Sequence, residues 1–453
     1  MTTHDRADGL SQLTELMDDE QGFSDALSPS PLERSARRAR RRRALLITVV
    51  VIALLVAAVG GYVGWALTAP VSAPVVLSQT PAVEQPAAVA LALPAEGAAA
   101  ISISGGDEYL GAAASGVWAS SGTNEARPIA SISKLITALV ILEARPLAGA
   151  DDPGPTITFD EAAHDLYDEY YVQGATIARM PTGSSMSQRD ALATMLIPSA
   201  SNYAEAVSTW VFGSQGAFLD ATRRWLATHG LASTTIVEPT GISARNTSTP
   251  SDLLTVARLA AADPVIAQIV AMPSLTLPGP GVMSNTNVLL GHGGITGLKT
   301  GNLGENSYNL LYTATLDVGT PQPLSVTGLA LGGQSRDSVN RGVLTLLDSI
   351  RAGFHRVPLA TRGQDVGTYT TPWGASARMV VGEGATIFTW SDTPISVAME
   401  TTTPTTYVDG EQVGSITWSA GPDSVTAGVE IEGAIEPPTA WWRLTHPTEL
   451  GGP

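Results

Sequence analysis

The sequence contains no cysteine and only six histidines, and just two of its 25 basic residues are lysines, Lys134 and Lys299. Without cysteine there is no disulfide framework, no thiol nucleophile and no thiolate metal site. The histidines show none of the short spacings that ligate metals, so we expect neither a metal nor another cofactor. Because arginine stays protonated in proteins whereas lysine can lose its proton, the two lysines mark positions that need an amine.

Acidic residues outnumber basic ones by 42 to 25, which gives a formal net charge of −17. Residues 1–43 carry as many basic as acidic side chains, so the whole negative excess lies in the rest of the chain. A negative surface repels the phosphates of nucleic acid, which argues against nucleic acid as a partner. An acidic, soluble surface explains most of the excess.

Residues 44–69 form a stretch without a single charged side chain. This is longer than the ~20 residues that a helix needs to cross a bilayer, and seven arginines lie between residues 34 and 43. The apolar region of a cleaved signal peptide is usually only about 7–15 residues long, so that interpretation ranks second and a buried soluble helix third. By the positive-inside rule we expect a single-pass anchor in the cell membrane, with the N-terminus cytoplasmic and the rest extracytoplasmic.

Changes in composition divide the remaining chain into further parts. Residues 1–43 read as a disordered cytoplasmic tail, because they are polar and lack an apolar period. Residues 70–96 are rich in alanine and proline and predict a semi-extended linker that lifts the globule off the membrane. Residues 97–355 predict the main domain, and residues 356–453, with short alternating segments and turns, predict a small β domain.

Strand patterns occur at both ends of the main domain, and helical patterns occupy its middle. Residues 100–106 and 307–331 are β-rich, whereas much of 131–262 has helical periodicity. This order predicts one antiparallel sheet, assembled from distant segments and flanked by helices. We therefore expect an α/β (α+β) fold with a mostly helical subdomain, followed by a small all-β domain.

The most informative stretch is an apolar helix that begins after Pro128 and ends before Pro146. Its first turn carries Ser131 and Lys134, and residues three apart on a helix are neighbours. A buried lysine can lose its proton, and the neutral amine can then take a proton from a serine. Ser-x-x-Lys alone is a weak motif, but it gains weight from the other lysine, which lies in Lys299-Thr300-Gly301.

Three motifs follow one another along the chain: Ser131-x-x-Lys134, then Ser199-Ala200-Ser201-Asn202, then Lys299-Thr300-Gly301. In this order they resemble the active site of the penicillin-recognising serine acyl-transfer family, with a β-lactamase/transpeptidase-like fold. The closest likeness is to the low-molecular-mass penicillin-binding proteins that act as D-alanyl-D-alanine carboxypeptidases, and it covers roughly residues 97–355. Supporting phrases include Leu196-Ile197-Pro198-Ser199, Glu238-Pro239-Thr240-Gly241 and Ser307-Tyr308-Asn309-Leu310.

The resemblance implies a catalytic role for three residues. Ser131 would attack the carbonyl between two D-alanines and form an acyl-enzyme, and Lys134 would be the base that activates it. Ser199 would relay a proton towards the leaving amine.

The same resemblance implies the residues that hold the substrate. Lys299 would keep positive charge beside the relay, and Thr300 would hydrogen-bond the substrate carboxylate. Backbone N–H groups of Ser131 and Asn302 would form the oxyanion hole, at a helix N-terminus that adds positive potential. The expected substrate-binding residues are Lys299, Thr300, Gly301, Asn302, Ser201, Asn202 and Arg341.

For two of these positions, the sequence leaves open which residue takes the family's role. The family has Ser-x-Asn in its second motif, whereas here the third position is Ser201 and asparagine follows at Asn202. Either Ser201 takes the place of the asparagine, or a local bulge presents Asn202. The family arginine that helps hold the substrate carboxylate matches Arg341 or Arg336, and a surface role fits each equally well.

We therefore expect a membrane-anchored D-alanyl-D-alanine carboxypeptidase that trims peptidoglycan stem peptides and is acylated by β-lactams at Ser131. A β-lactamase of the same superfamily is an alternative, but it needs a deacylating glutamate, and the one candidate, Glu238, lies in a carboxypeptidase-like loop. The third hypothesis is a non-catalytic penicillin-binding protein of the cell envelope, which the Ser201 departure suggests.

Overall fold

The computed structural model describes residues 31–451 of the chain. The helices in this range are α1 (Pro31–Thr68), α2 (Asp107–Leu110), α3 (Ser133–Ala144), α4 (Glu161–Val172), α5 (Gln188–Leu196), α6 (Ser201–Phe212), α7 (Gln215–Thr228), α8 (Pro250–Ala262), α9 (Pro264–Val270), α10 (Arg336–Gly353) and α11 (Ala440–Thr445). The strands are β1 (Val75–Ser78), β2 (Ala98–Ser104), β3 (Ala119–Ser121), β4 (Arg127–Pro128), β5 (Thr156–Thr158), β6 (Ser185–Ser187), β7 (Thr247–Ser248), β8 (Ser274–Leu277), β9 (Gly281–Ser284), β10 (Ile295–Gly301), β11 (Tyr308–Leu316), β12 (Leu324–Gly333), β13 (Phe354–Ala360), β14 (Asp365–Thr370), β15 (Ser376–Val381), β16 (Ala385–Trp390), β17 (Ser396–Thr401), β18 (Gln412–Ala420) and β19 (Asp423–Glu432).

The chain forms two compact units. The larger unit contains residues 76–369 and 377–434, and the described part of the smaller unit contains residues 31–75, 370–376 and 435–451. The candidate site lies wholly within the larger unit.

The central sheet of the larger unit has five strands in the order β10-β11-β12-β2-β3. All neighbouring pairs are antiparallel. The sheet joins β2, near residue 100, to strands that begin only at Ile295, so the predicted sheet of distant segments is confirmed. The predicted antiparallel pairing of the segments around residues 310 and 330 is also confirmed, with Leu311 opposite Leu329.

Side chains alternate across this sheet and feed two apolar clusters. Leu311 and Leu329 belong to the cluster that contains the buried helices α3, α5, α6, α8 and α9. Their neighbours Leu310 and Tyr312 belong to a second cluster, in which α10 buries Val343 and other residues. Because successive residues of a strand point to opposite faces, the sheet lies between helices on both sides.

Helix starts follow the capping rules. The sequence predicts that Ser187 caps a helix over residues 188–197, and its side chain accepts a hydrogen bond from the backbone N–H of Asp190, which confirms this start of α5. Ser335 caps α10 in a reciprocal arrangement with Ser338. The sequence predicts the next helix from Ala204, whereas α6 begins three residues earlier, at Ser201, so the second motif enters the helix instead of preceding it.

A six-stranded sheet forms the β-rich region, in the order β1-β14-β15-β19-β18-β17. Strand β18 buries every second or third residue, including Ile416 and the fully buried Trp418. Strand β13 pairs with β16, and its first residue, Phe354, packs against Trp390 with ring centroids 4.7 Å apart. The separate domain predicted for residues 356–453 stays a prediction.

The segment predicted as a spacer is fastened to the larger unit. The side chain of Gln85 exchanges two hydrogen bonds with the backbone of Ile395, at 3.1 and 2.9 Å. The backbone N–H of Val89 donates to the Ser391 hydroxyl at 2.9 Å. Because these contacts satisfy the backbone and hold it in place, residues 85–96 do not act as a free linker.

In the smaller unit, the N-terminal helix and the C-terminal segment are joined. Residues 31–43, predicted as part of a disordered tail, form the start of α1, and residues 1–30 of that tail lie outside the described part of the chain. The Tyr62 hydroxyl donates to the carbonyl of Leu444 at 2.7 Å. The guanidinium of Arg443 donates to the carbonyl of Ala69 at 2.8 Å, beyond the last turn of α1. The helix over residues 35–68 contains a stretch that is apolar and long enough to cross a membrane.

Candidate active site

The three sequence motifs meet at one cavity of about 490 Å³. Its wall is formed by the turn before α3, the segment that leads into α6 and the end of β10. Motif residues that line it are Ser131, Ser199, Ser201, Thr300 and Gly301, followed by Asn302.

Ser131 and Lys134 lie within hydrogen-bond distance of each other. Ser131 lies in a short 3₁₀ turn, residues 130–132, and α3 begins directly after it. Lys134 Nζ is 3.1 Å from Ser131 Oγ and donates to the carbonyl of Thr240 at 2.6 Å. The lysine is only 1% exposed. The predicted pairing of hydroxyl and amine is therefore present, at the N-terminal end of a buried helix.

Burial shifts the proton affinity of both lysines. It lowers the pKa of Lys134 to about 7, and the charge of Glu238 opposes this shift. Burial also lowers the pKa of Lys299 well below its usual value, and the nearby charge of Lys134 lowers it further. A neutral Lys134 amine is thus available near neutral pH. Lys299, expected to hold positive charge, thus binds its proton less tightly than an exposed lysine, and an anion such as a substrate carboxylate beside it would favour the protonated form.

The backbone at the reactive serines is unusual. Ala130, directly before Ser131, has φ of 50°, and Ser199 has φ of 70°. Non-glycine residues rarely adopt this left-handed region, and such strain clusters at functional sites. Gly241 and Gly301 lie against the same turn: a Cβ at Gly241 would be 1.9 Å from the Ala130 carbonyl oxygen, and one at Gly301 would be 2.7 Å from that of Ile129.

We expect Gly241→Ala to disrupt the turn that carries Ser131. Positive φ costs an alanine roughly 1–2 kcal/mol, and the clash with the Ala130 carbonyl adds roughly 1–3 kcal/mol or displaces the turn. The measurements are thermal unfolding and the rate of fluorescent-penicillin labelling. Gly213→Ala is the matched control, because Gly213 has φ of 80° but no atom within 4 Å of its Cβ position. Equal effects of the two substitutions would contradict the expectation.

The second motif places two serines at the cavity and turns its asparagine away. Ser199 is 4% exposed, and its hydroxyl has no hydrogen-bond partner within residues 31–451, so it is free to interact with a substrate. Ser201, the first residue of α6, is 3% exposed and lines the cavity. Asn202 is fully buried, and its amide is bound to the backbone of Ala178. Ser201 thus lines the cavity and Asn202 does not, and the substrate contact predicted for Asn202 stays a prediction.

The third motif ends the edge strand β10. Lys299 is 1% exposed, and its Nζ donates to the carbonyl of Thr300 at 3.1 Å. The Thr300 hydroxyl donates to that of Thr286 at 2.7 Å, and both residues line the cavity. The Asn302 side chain accepts from the N–H of Gly304 at 2.8 Å and so shapes the following loop.

The structure favours Arg336 over Arg341 as the arginine of the site. Arg336, the first residue of α10, lines the cavity. Arg341 does not line the cavity. Its predicted contact with the substrate carboxylate stays a prediction, because a loose match after the third motif cannot determine which turn of a helix faces the pocket.

Sequence reasoning missed two parts of the cavity wall, residues 173–176 and Thr286. Neither lies in a motif, and only the tertiary fold brings them to Ser131. For residues 173–176, the only sequence signal of a place in the site was that they form a polar, glycine-containing segment after a helix.

The carboxylate of Glu238 is occupied by hydrogen bonds, unlike that of a glutamate that acts as a deacylating base. Its carboxylate accepts hydrogen bonds from the backbone N–H groups of Thr240 and Gly241, at 2.6 and 2.8 Å, and from the Asn246 amide at 2.9 Å. These contacts fold the turn that presents the Thr240 carbonyl to Lys134. Among residues 31–451 there is no cluster of three His, Asp or Glu side chains that would hold a metal ion.

Residues 109–322 match the model of the peptidase S11 family, described as D-alanyl-D-alanine carboxypeptidase. The matched segment is a little under half of the chain, and it is similar to that family. The resemblance inferred from the three motifs is thereby confirmed.

Two curated relatives of this chain are named D-alanyl-D-alanine endopeptidases. It is 30% identical over 150 residues to a D-alanyl-D-alanine endopeptidase of Pseudomonas aeruginosa, over 33% of this chain and 45% of that protein. It is 31% identical over 173 residues to a D-alanyl-D-alanine endopeptidase of Escherichia coli, over 36% of this chain and 51% of that protein. The chain thus spans about half the length of the curated relatives it matches.

The solved structure of penicillin-binding protein 6B from Escherichia coli has the same fold. The superposition has a TM-score of 0.51 at 18% identity and covers 78% of this chain and 98% of the other. The expected class, an antiparallel sheet flanked by helices with a helical subdomain, is confirmed.

Proposed function

We propose that this chain is a serine D,D-peptidase that removes the terminal D-alanine of peptidoglycan stem peptides through an acyl-enzyme on Ser131. The observation that carries the proposal is the pairing of Ser131 Oγ with a buried amine 3.1 Å away, at the mouth of a cavity. Burial lowers the pKa of that amine to about 7, which suits a general base at neutral pH.

In the acylation step, the Ser131 hydroxyl transfers its proton to neutral Lys134 as its oxygen attacks the carbonyl carbon between the two D-alanines. The N–H groups of Ser131 and Asn302 stabilise the resulting oxyanion. When the C–N bond breaks, the proton held by Lys134 passes to the leaving amine through the hydroxyl of Ser199, which has no hydrogen-bond partner among the described residues. Water then gives a proton to the neutral Lys134 as its oxygen attacks the ester carbonyl, and Lys134 returns that proton to the Ser131 oxygen as the ester bond breaks.

Substrate recognition combines hydroxyl and cationic groups. The Thr300 hydroxyl, supported by Thr286, would hydrogen-bond the C-terminal carboxylate. That carboxylate would favour the protonated amine of Lys299, and Arg336 adds a charge at the cavity wall. Ser201 supplies a further hydroxyl where the family has an amide. β-Lactams present the same carboxylate and a strained amide, so they would acylate Ser131.

Cleavage of cross-links is the second candidate activity, because both curated relatives are named endopeptidases. The two reactions share every chemical step and differ only in whether the leaving amine belongs to a free amino acid or to a second peptide. A β-lactamase activity is disfavoured, since the carboxylate of Glu238 is taken up by the turn that it folds.

The contacts of α1 support an uncleaved anchor in the cell membrane. Removal of this helix would leave Arg443 and the Leu444 carbonyl without the partners that Ala69 and Tyr62 provide. The arginines before residue 44 favour a cytoplasmic N-terminus.

The test uses the full chain extracted from membranes. Release of D-alanine from a disaccharide pentapeptide supports carboxypeptidase activity, and cleavage of a cross-linked dimer supports endopeptidase activity. Slow turnover of fluorescent penicillin on Ser131 is expected, whereas rapid hydrolysis would identify a β-lactamase. A protein that shows no peptide cleavage and no penicillin labelling would overturn the proposal. The intact mass of the protein shows whether α1 is retained.

A further inference from the structure

One side of the cavity is formed by the segment that follows helix α4. We call residues 173–179 the wall loop, and four of them, residues 173–176, line the cavity. The cavity volume of about 490 Å³ lies in the range of pockets that hold drug-sized ligands. It therefore has room for more of a stem peptide than the two alanyl residues at the scissile bond.

Asn202 is hydrogen-bonded to Ala178, near the C-terminal end of the wall loop. Its Oδ1 accepts from the backbone N–H of Ala178 at 3.1 Å, and its Nδ2 donates to the carbonyl of the same residue at 2.8 Å. Both residues are buried. A neutral amide provides a donor and an acceptor side by side, whereas a carboxylate only accepts and an aliphatic side chain does neither. Asn202 therefore satisfies two backbone groups that would otherwise be buried without partners.

The neighbours of Asn202 hold the same loop on either side. The backbone N–H of Ser201 donates to the carbonyl of Thr176 at 2.8 Å. The hydroxyl of Tyr203 donates to the carbonyl of Arg179 at 2.8 Å. Three successive residues at the start of α6 thus fix the loop, and the same helix end presents Ser199 and Ser201 to the cavity.

We propose that Asn202 is a positioning residue that sets the place of the wall loop and thereby selects which acyl portions of the stem peptide the site accepts. The inference rests on the proposed peptidase function. It assigns the two residues of the altered second motif to different tasks: Ser201 faces the bound dipeptide, and Asn202 holds the wall beside it.

The test is the selectivity of Asn202→Leu. The leucine side chain has the branching pattern of asparagine and a larger volume, but no hydrogen-bonding groups. Two substrates are compared: a short acylated D-alanyl-D-alanine peptide and a disaccharide pentapeptide. We expect KM for the disaccharide pentapeptide to rise at least about tenfold, with kcat within about threefold. Penicillin acylation of Ser131 should also change by less than about threefold, because the groups that touch the reacting atoms are unaltered.

Tyr203→Phe keeps the test decisive if Asn202→Leu does not fold. It removes only the hydrogen bond to Arg179. The ratio of KM for the disaccharide pentapeptide to KM for the short peptide should therefore shift in the same direction by about twofold to threefold. Ser201→Ala is the contrasting variant, and we expect it to affect both substrates and penicillin alike. An unchanged KM ratio in a folded Asn202→Leu or Tyr203→Phe protein would overturn the inference. A parent protein that cleaves neither substrate would instead refute the proposed function.

Discussion

Replacement of Ser131 by alanine is expected to abolish D-alanine release and penicillin labelling, with a loss of about 10⁴–10⁶-fold in kcat. The reason is that the acyl-enzyme requires an oxygen nucleophile at this position, and the remaining site contributes only binding and oxyanion stabilisation. Steady-state D-alanine release and the mass of the penicillin-treated protein measure the two effects.

Ser233→Ala is the matched control for this substitution, because Ser233 is exposed and its side chain has no role in the site. It should leave both rates unchanged. A penicillin adduct that persists in the Ser131→Ala protein would show that another residue is the nucleophile, and the proposed mechanism would then fail.

The second large effect is expected at Lys134. Replacement by arginine should lower penicillin acylation by about 10²–10⁴-fold, because a guanidinium keeps its proton and cannot act as a base. In the unaltered protein the rate constant for acylation should rise about tenfold per pH unit below pH 7 and level off above it. The sign follows from the neutral amine being the active form, and the midpoint follows from the pKa of about 7.

The reverse exchange at an exposed position, Arg362→Lys, is the control for Lys134→Arg and should have no effect. Thermal unfolding of both variants separates a lost base from a lost fold. An acylation rate that falls as pH rises from about 5 to 8 would show that the protonated amine is the reactive form, contrary to the mechanism.

Local signals predicted much of the architecture. An apolar run between two prolines located α3, a capping serine located α5, and β-rich runs located β11 and β12. These features depend on interactions within a few residues, which a sequence displays directly. The three motifs were also visible, since the chain contains so few lysines that both stand out.

Contacts between distant segments were harder to predict. The position of Asn202 depends on the wall loop, which lies more than twenty residues away, and the choice of Arg336 depends on the rotation of α10. Residues 85–96 resembled a spacer in composition because alanine and proline reveal nothing about partners such as Ser391. The start of α6 at Ser201 was missed because the two residues before it, Ser199 and Ala200, show no sequence pattern that signals a helix start.

The scarcity of lysine gives this protein an unusual spectroscopic property. Both lysines are only 1% exposed, and one contacts the reactive serine while the other begins the third motif. Isotopic labelling of lysine would thus produce two side-chain ammonium or amine resonances, each from a residue next to one that lines the cavity, Ser131 or Thr300. Nuclear magnetic resonance titration of those two signals would follow protonation, ligand entry and acylation directly, without any engineered reporter.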